Sequence, residues 1–172
     1  MARKLVYISL FMRFQPILLT TFDLNPYYET RRKIKKYFLY TDGGCYPNPG
    51  GNWGWAFILE QGDKEVERNS GCGVNGTNNI AELTAAIKGL QHTPVGATIT
   101  IVSDSQYVLK GLSEWRAGWK KRGWAGIANR ALWIELDGLA NERDVSVEWI
   151  RGHVGHPQNE ECDEMATKAY RS

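Results

Sequence analysis

Two runs of strand-forming residues end in aspartate, and a helical stretch leads into the second. KKYFLY, Lys35–Tyr40, is apolar and aromatic and runs into Asp42; TITIVSD, Thr98–Asp104, alternates β-branched residues and stops at Asp104. Between them TNNIAELTAAIKGL places Ile80, Leu83, Ile87 and Leu90 on one helical face. A strand, a helix and a strand of this kind make a βαβ-like unit. If the two Asp-ended strands are parallel neighbours, both carboxylates emerge at one edge of a sheet, where α/β sheets place their sites.

The remaining elements follow from the same patterns. Strand one is expected over Tyr37–Asp42, with Gly43 and Gly44 forcing a turn after it and YPNPGG continuing the turn chemistry. Strands are expected at Trp53–Glu60 and Lys64–Val74, joined by a tight hairpin at Gly62–Glu65. The first helix ends near His92, with Asn79 and Glu82 spaced as an N-cap and its third helical residue. Ser105 or Asp104 caps a short helix, SQYVLKGL. Asn129–Asn141 is amphipathic, with Leu132, Ile134, Leu136 and Leu139 among its apolar positions. Val145–Ile150 is a fifth strand, RGHVGH a glycine-rich loop, and Pro157 opens a last helix. The fold class is α/β (α+β mixed), a five-stranded mixed sheet flanked by helices.

Composition bears on boundaries and partners. The 172 residues suffice for one domain with a core. Residues 1–36 carry eight Lys/Arg against two acids, whereas 37–172 carry thirteen against seventeen, a body of net −4. The domain is therefore placed at 37–172, and 1–36 is an N-terminal extension of uncertain role. Its apolar run is interrupted by Arg13, Gln15 and Pro16 and is too short to span a membrane. An organellar targeting peptide and an upstream extension without a function of its own both fit it. Three widely spaced cysteines, Cys45, Cys72 and Cys162, include no CxxC pair, which argues against a zinc site or a disulfide framework and for a cytosol-like compartment.

Four acids stand out: Asp42, Glu82, Asp104 and Asp163. Hard oxygen ligands at separated positions suit Mg²⁺ or Mn²⁺, with water and phosphate oxygens completing the shell, and two such ions can clamp an in-line phosphoryl displacement. Each acid also has a purely structural reading. Asp42 before Gly is a turn residue, Asp104 an N-cap, Glu82 a capping-box partner of Asn79, and Asp163 a solvated helix charge. His153 and His156, in the loop before Asp163, have the freedom to swing and relay a proton; His92 reads as a helix-end residue.

The blocks YTDGGCYPNPGGNWGWAF, TNNIAELTAAI, IVSDSQYVLKGL and RGHVGHPQNEECDEMA resemble, in order and spacing, the signature blocks of type 1 ribonuclease H in its bacterial form, over about Tyr37 to Tyr170. The resemblance implies the ribonuclease H-like fold and a metal-dependent endonuclease that cuts the RNA strand of RNA–DNA hybrids, leaving 5′-phosphate and 3′-hydroxyl ends. It implies two Mg²⁺ ions with substrate, Mn²⁺ as a substitute, on Asp42, Glu82, Asp104 and Asp163, with His153 as the flexible-loop histidine. Nucleic-acid contacts would fall on Asn48, Asn78, Asn79 and Gln106, with Cys45 in the close approach of the hybrid backbone. WRAGWKKRGW resembles the family's basic protrusion, with Trp115, Trp119 and Trp124 as flat surfaces and Lys120, Lys121 and Arg122 as phosphate attractors. The DNA phosphate pocket would use Thr77 and Asn129. Two departures stand beside this: the stretch AGIA before Asn129 is short and lacks lysines, and Asn75 stands where an Arg is common. A monomer in the cytoplasm is expected, with no membrane partner. A hybrid-binding module without catalysis, and a resolvase- or integrase-type nuclease on the same fold, are the competing classes.

Overall fold

The computed structural model describes residues 36–172, and the sequence-based readings of the extension lie outside them. The elements run β1 (Lys36–Tyr46), β2 (Asn52–Gln61), β3 (Lys64–Gly73), α1 (Asn78–Gln91), β4 (Thr98–Ser103), α2 (Gln106–Lys110), a π-helical stretch (Gly111–Trp115), α3 (Arg116–Lys121), α4 (Arg130–Asn141), β5 (Asp144–Trp149) and α5 (Pro157–Arg171). They form one five-stranded sheet in the order β3-β2-β1-β4-β5. β1–β2 and β2–β3 are antiparallel, β1–β4 and β4–β5 parallel. The sheet is therefore mixed, and the two Asp-ended strands are parallel neighbours.

Both faces of the sheet are covered, as the parallel pairs require. On one, Leu39, Phe57, Ile99 and Ile101 pack with Leu83, Ile87 and Leu90 of α1, Val108 and Leu109 of α2, and Trp133 and Leu136 of α4. On the other, Tyr40, Ala56, Ile58 and Val102 meet Cys162 and Ala166 of α5. The apolar stripe of α1 is buried as its spacing predicts, apart from partly exposed Ile80. In α4 the centre shifts by one residue. Trp133 is wholly buried, while Ile134 is 43% exposed.

Two local expectations are corrected, and the cap of α2 is settled between its two candidates. β1 does not turn after Asp42: it continues through Gly43, Gly44 and Cys45 to Tyr46, paired with Trp55, Gly54, Trp53 and Asn52. The glycine at 43 serves close packing. A Cβ there would lie 2.4 Å from the backbone carbon of Ala81 and 2.6 Å from the nitrogen of Glu82, so only a bare backbone lets α1 lie this near the strand. The chain reverses later, where Gly51 N–H donates to Pro47 O (2.7 Å) and Gly50 takes a φ of 91°. The cap of α1 is Thr77, whose hydroxyl accepts from Ile80 N–H (3.2 Å); Asn79 lies inside the helix and Glu82 beyond its first turn, so the two form no capping box. Ser105, rather than Asp104, caps α2 through Val108 N–H (3.3 Å).

Candidate active site

The last rung of the parallel β1–β4 ladder is Tyr40↔Val102. Beyond it β4 ends at Ser103 while β1 continues along β2 alone, with Asp42 opposite Ala56. The sheet thus opens at the point where Asp42 and Asp104 stand. α1 brings Glu82 to the same edge, because the helix rests on the backbone of Gly43. α5 brings Asp163 there, one turn after buried Asn159.

The electrostatics show that these acids converge. Burial, and then the charge of Asp104, push the Asp42 carboxyl up to about 8; Asp163 and Glu82 add to the rise, and the Gly43 N–H opposes it. That N–H donates to Asp42 Oδ1 at 2.6 Å. Burial likewise raises Glu82, with a further push from Asp104, against the Ser105 hydroxyl that donates to Glu82 Oε2 at 2.6 Å. Asp104 is raised chiefly by burial, partly offset by its own backbone N–H and by His153. Among the described residues, the one salt-bridge partner of the four acids is His153, whose Nδ1 is 3.9 Å from Asp163 Oδ2. Asp42, Glu82 and Asp104, partly buried beside one another, are thus each shifted towards the protonated form.

The donor set fits a hard divalent cation. All four ligand candidates are oxygen donors, and for Asp42, Glu82 and Asp104 burial and then neighbouring charge disfavour the ionised form, a penalty that a cation would offset. Among the described residues, no three Asp, Glu, His or Cys side chains enclose an ion by themselves. An ion here needs water or phosphate oxygens to complete its shell, the ordinary situation for Mg²⁺.

The two loop histidines differ. His153 has a φ of 55° and a side chain 78% exposed, free to reach a substrate. His156 caps the start of α5 with its ring 5.5 Å from that of Tyr40, and its Nδ1 is buried without a partner, so it is packed and does not swing. His92 is the C-cap of α1, as its position predicts.

The amide residues line the neighbouring edge. Asn48 Oδ1 accepts from Asn78 N–H (3.2 Å), and Asn78 Oδ1 from Cys45 N–H (2.8 Å). Both oxygens are committed, leaving the two NH₂ groups for other partners. Cys45 is buried, with its thiol donating to Pro47 O (3.4 Å), so it braces the loop from within. Asn79 and Gln106 are exposed. Thr77 is half-buried under its cap bond. Asn129 sits at φ 56° before α4 and donates to Tyr107 OH (3.3 Å). Asn75, at φ 57°, occupies a left-handed position that asparagine tolerates better than most residues.

The basic segment is less free than its composition suggests. Lys120 and Arg116 both bind Asp137, a buried residue of α4, at 2.9 and 3.5 Å. Lys121 and Arg122 remain exposed. Trp119 is a packing hub, with ring centroids 5.7 Å from Trp115, 6.1 Å from Trp124 and 5.0 Å from Trp133. Of the three tryptophans expected to offer flat faces, only Trp115 is exposed, at 36%, while Trp119 and Trp124 are half-buried.

Sequence reasoning missed three contributors. Ser105 orients Glu82; its signal was its place beside Asp104 at a helix start. Trp149 donates its indole N–H to Asp104 O (3.2 Å). Gly152 passes so close to Asp104 that a Cβ would lie 2.3 Å from Oδ2. The last two contacts join segments some forty-five residues apart, and no local pattern announces them.

Comparison with known proteins supplies independent evidence. The family model described as RNase H matches residues 34–171. A ribonuclease H of Pseudomonas savastanoi pv. phaseolicola is 44% identical over 136 residues, covering 76% of this chain and 89% of the relative. That of Neisseria gonorrhoeae is 43% identical over 136 residues, covering 76% and 92%. Among solved structures, LC9-RNase H1, a type 1 RNase H with the type 2 active-site motif, matches with a TM-score of 0.72 at 27% identity, over 80% of this chain and 72% of that one. LC11-RNase H1 in complex with RNA/DNA hybrid matches in fold, with a TM-score of 0.60 at 19% identity over 78% and 96% of the two chains.

Proposed function

Because the chain belongs to the ribonuclease H family, in its bacterial ribonuclease HI-like form, we propose that it hydrolyses the RNA strand of RNA–DNA hybrids at the Asp42 edge, leaving 5′-phosphate and 3′-hydroxyl ends. The observation that carries the reading is that partly buried Asp42 feels the charges of Asp104, Asp163 and Glu82 at one opening of the sheet. Asp42, Glu82, Asp104 and Asp163 would hold two divalent ions, Mg²⁺ or in substitution Mn²⁺. Such ions, when bound, lower the pKa of attacking water and stabilise charge on the phosphoryl and leaving oxygens.

The chain's own residues supply positioning and proton handling. Gly43 N–H and Ser105 Oγ–H each fix one carboxylate oxygen, so Asp42 and Glu82 present their remaining oxygens in set directions. Exposed His153 accepts or donates a proton at the substrate side of Asp163. Asn48, Asn78, Asn79 and Gln106 offer amide groups to base edges and 2′-hydroxyls of the minor groove, which distinguishes RNA from DNA with little sequence preference. Residues 37–172 form the proposed catalytic unit, working as a monomer in the cytoplasm; residues 1–36 are left without a role in it. Among the described residues no helix is long and apolar enough to cross a membrane.

The test is cleavage of an end-labelled hybrid in Mg²⁺, alongside duplex RNA and duplex DNA. Wild type should cut the RNA of the hybrid alone, its products should be ligatable through 5′-phosphates, and Asp104→Asn should lose at least about a hundredfold in kcat. A wild type no faster than Asp104→Asn overturns the reading.

A further inference from the structure

Next to the carboxylates, a groove of about 310 Å³ runs between the α2–π-helical segment and β5; of its lining, Gln106 and Trp149 also belong to the candidate site. Its floor is apolar: Leu109, Val147 and the indole of Trp149, which is 53% exposed. An exposed indole is ordinarily free to rotate, but this one donates its N–H to the backbone oxygen of Asp104 (3.2 Å), which sets its ring relative to the catalytic edge. Gln106 stands at the head of the groove and Lys110 one helical turn on. Ser113 follows, in the π-helical stretch, with its hydroxyl hydrogen given to Leu109 O (2.8 Å); its oxygen is thereby left to accept. The carboxylate of Glu114 also lines the groove.

This set of groups selects a ligand. A fixed aromatic face beside aliphatic side chains packs against the C–H face of a sugar. One ammonium suits one phosphate. An acceptor-only hydroxyl and a carboxylate favour a hydroxyl donor and disfavour a second phosphate. DNA has no 2′-hydroxyl to give, and a protein or lipid partner would leave the lysine-to-serine order without use. Resting on the ribonuclease H reading, we propose that this groove is a subsite for one ribose-phosphate unit of the RNA strand as it leaves the carboxylates, with Trp149 under the sugar, Lys110 on the phosphate and Ser113 accepting from the 2′-hydroxyl. Gln106 and the bond from Trp149 to Asp104 O join the groove to the cutting edge.

The experiment uses the full chain with Trp149→Ala, Trp149→Phe, Lys110→Ala and Ser113→Ala, assayed on a hybrid and on hybrids carrying a single 2′-deoxy residue at each position flanking one defined cleavage point. Trp149→Ala should raise KM about fivefold or more, because a platform for one nucleotide is removed, while any kcat lost with the N–H bond to Asp104 O should be lost equally by Trp149→Phe. Trp149→Phe, which keeps a ring but not the N–H, should keep a KM near that of wild type. Lys110→Ala should raise KM and reduce the salt dependence of hybrid binding by about one phosphate's worth of counterion. One 2′-deoxy position should raise the wild-type KM about threefold or more, and Ser113→Ala should be blind to that position. Variants equal to wild type, or a 2′-deoxy effect that survives in Ser113→Ala, overturn the proposal while hybrid cleavage stands. A fall in kcat shared by Trp149→Ala and Trp149→Phe with KM unchanged in both also overturns it, since the indole would then act only by holding Asp104. A wild type that neither cuts nor binds the hybrid removes the ribonuclease H reading, and this one with it.

Discussion

Ser105 uses one hydroxyl twice. Its oxygen accepts from Val108 N–H to cap α2, and its hydrogen goes to Glu82. Ser105→Ala should therefore have two separable effects. Loss of the cap should cost about 1 kcal/mol in urea unfolding, and loss of the donor should raise the Mg²⁺ concentration needed for half-maximal activity several-fold, with Ser105→Thr restoring both; an unchanged Mg²⁺ requirement would limit the residue to capping. Asp42 gives a pH signature. Its folded value of about 8 lies far above the ordinary 3.8, so between those values the folded state keeps a proton that the unfolded chain has released. Stability then falls as pH rises through that window, by up to about 1.4 kcal/mol per unit, and levels off above it. In excess chelator, wild type should lose melting temperature from pH 4 towards pH 8, while Asp42→Asn should show a shallower fall and melt higher than wild type at pH 8. Parallel melting curves would exclude the effect. The positions of both residues are legible in the sequence. Their environments are not, because burial and like charges arrive from α1, β4 and α5, which no spacing rule orients toward β1.

Among the elements, β1 and α1 are matched through the absence of a side chain. Gly43→Ala drives a methyl into the backbone of Ala81 and Glu82, which cannot move aside as a flexible side chain can. It should destabilise by about 1–3 kcal/mol or more, measured by urea unfolding, with Glu82 displaced and activity reduced beyond the loss of stability. The pair TDGG reads as a turn from sequence because glycine marks both turns and close approaches, and only the helix packed above decides between them. The element order, the strand that leads into Asp104 and the start of α5 at Pro157 were legible, since each carries its own periodicity or cap. The register of α4 was not: Trp133 and Ile134 are adjacent apolar residues, and the fold buries one. In that helix Asp137 ties α4 to α3 through Lys120 and Arg116. Asp137→Ala should cost on the order of 1–2 kcal/mol by removing the acceptor shared by Lys120, Arg116 and Asn141, whose partly exposed cations water can then solvate. Lys120→Ala, at a half-exposed partner, should cost less than about 1 kcal/mol.

Over the whole molecule, a unit of net −4 must approach a polyanion. Composition makes that conflict visible and points to the basic segment as its resolution. What composition hides is that Lys120 is already engaged, which leaves Lys121 and Arg122 as the segment's exposed cations without an acid partner among the described residues. Replacing both with Ala should weaken hybrid binding and flatten its dependence on salt by about one counterion for each phosphate no longer neutralised, as read by fluorescence anisotropy across a salt series; an unchanged slope would place the DNA strand elsewhere. The orientation of that segment is set upstream. The π-helical stretch Gly111–Trp115 interrupts an otherwise α-helical course from Gln106 to Lys121, and a π-turn is equivalent to one residue inserted into an α-helix. One residue is about 100° of helix rotation. The stretch is thus a phase shifter: upstream of it the helix addresses Glu82 and the groove, and downstream it addresses Trp133 and Asp137. Deleting a single residue there would leave every partner in the sequence yet turn Trp119 and Lys120 away from α4. A homologue one residue shorter at this point must therefore anchor its basic segment by other means.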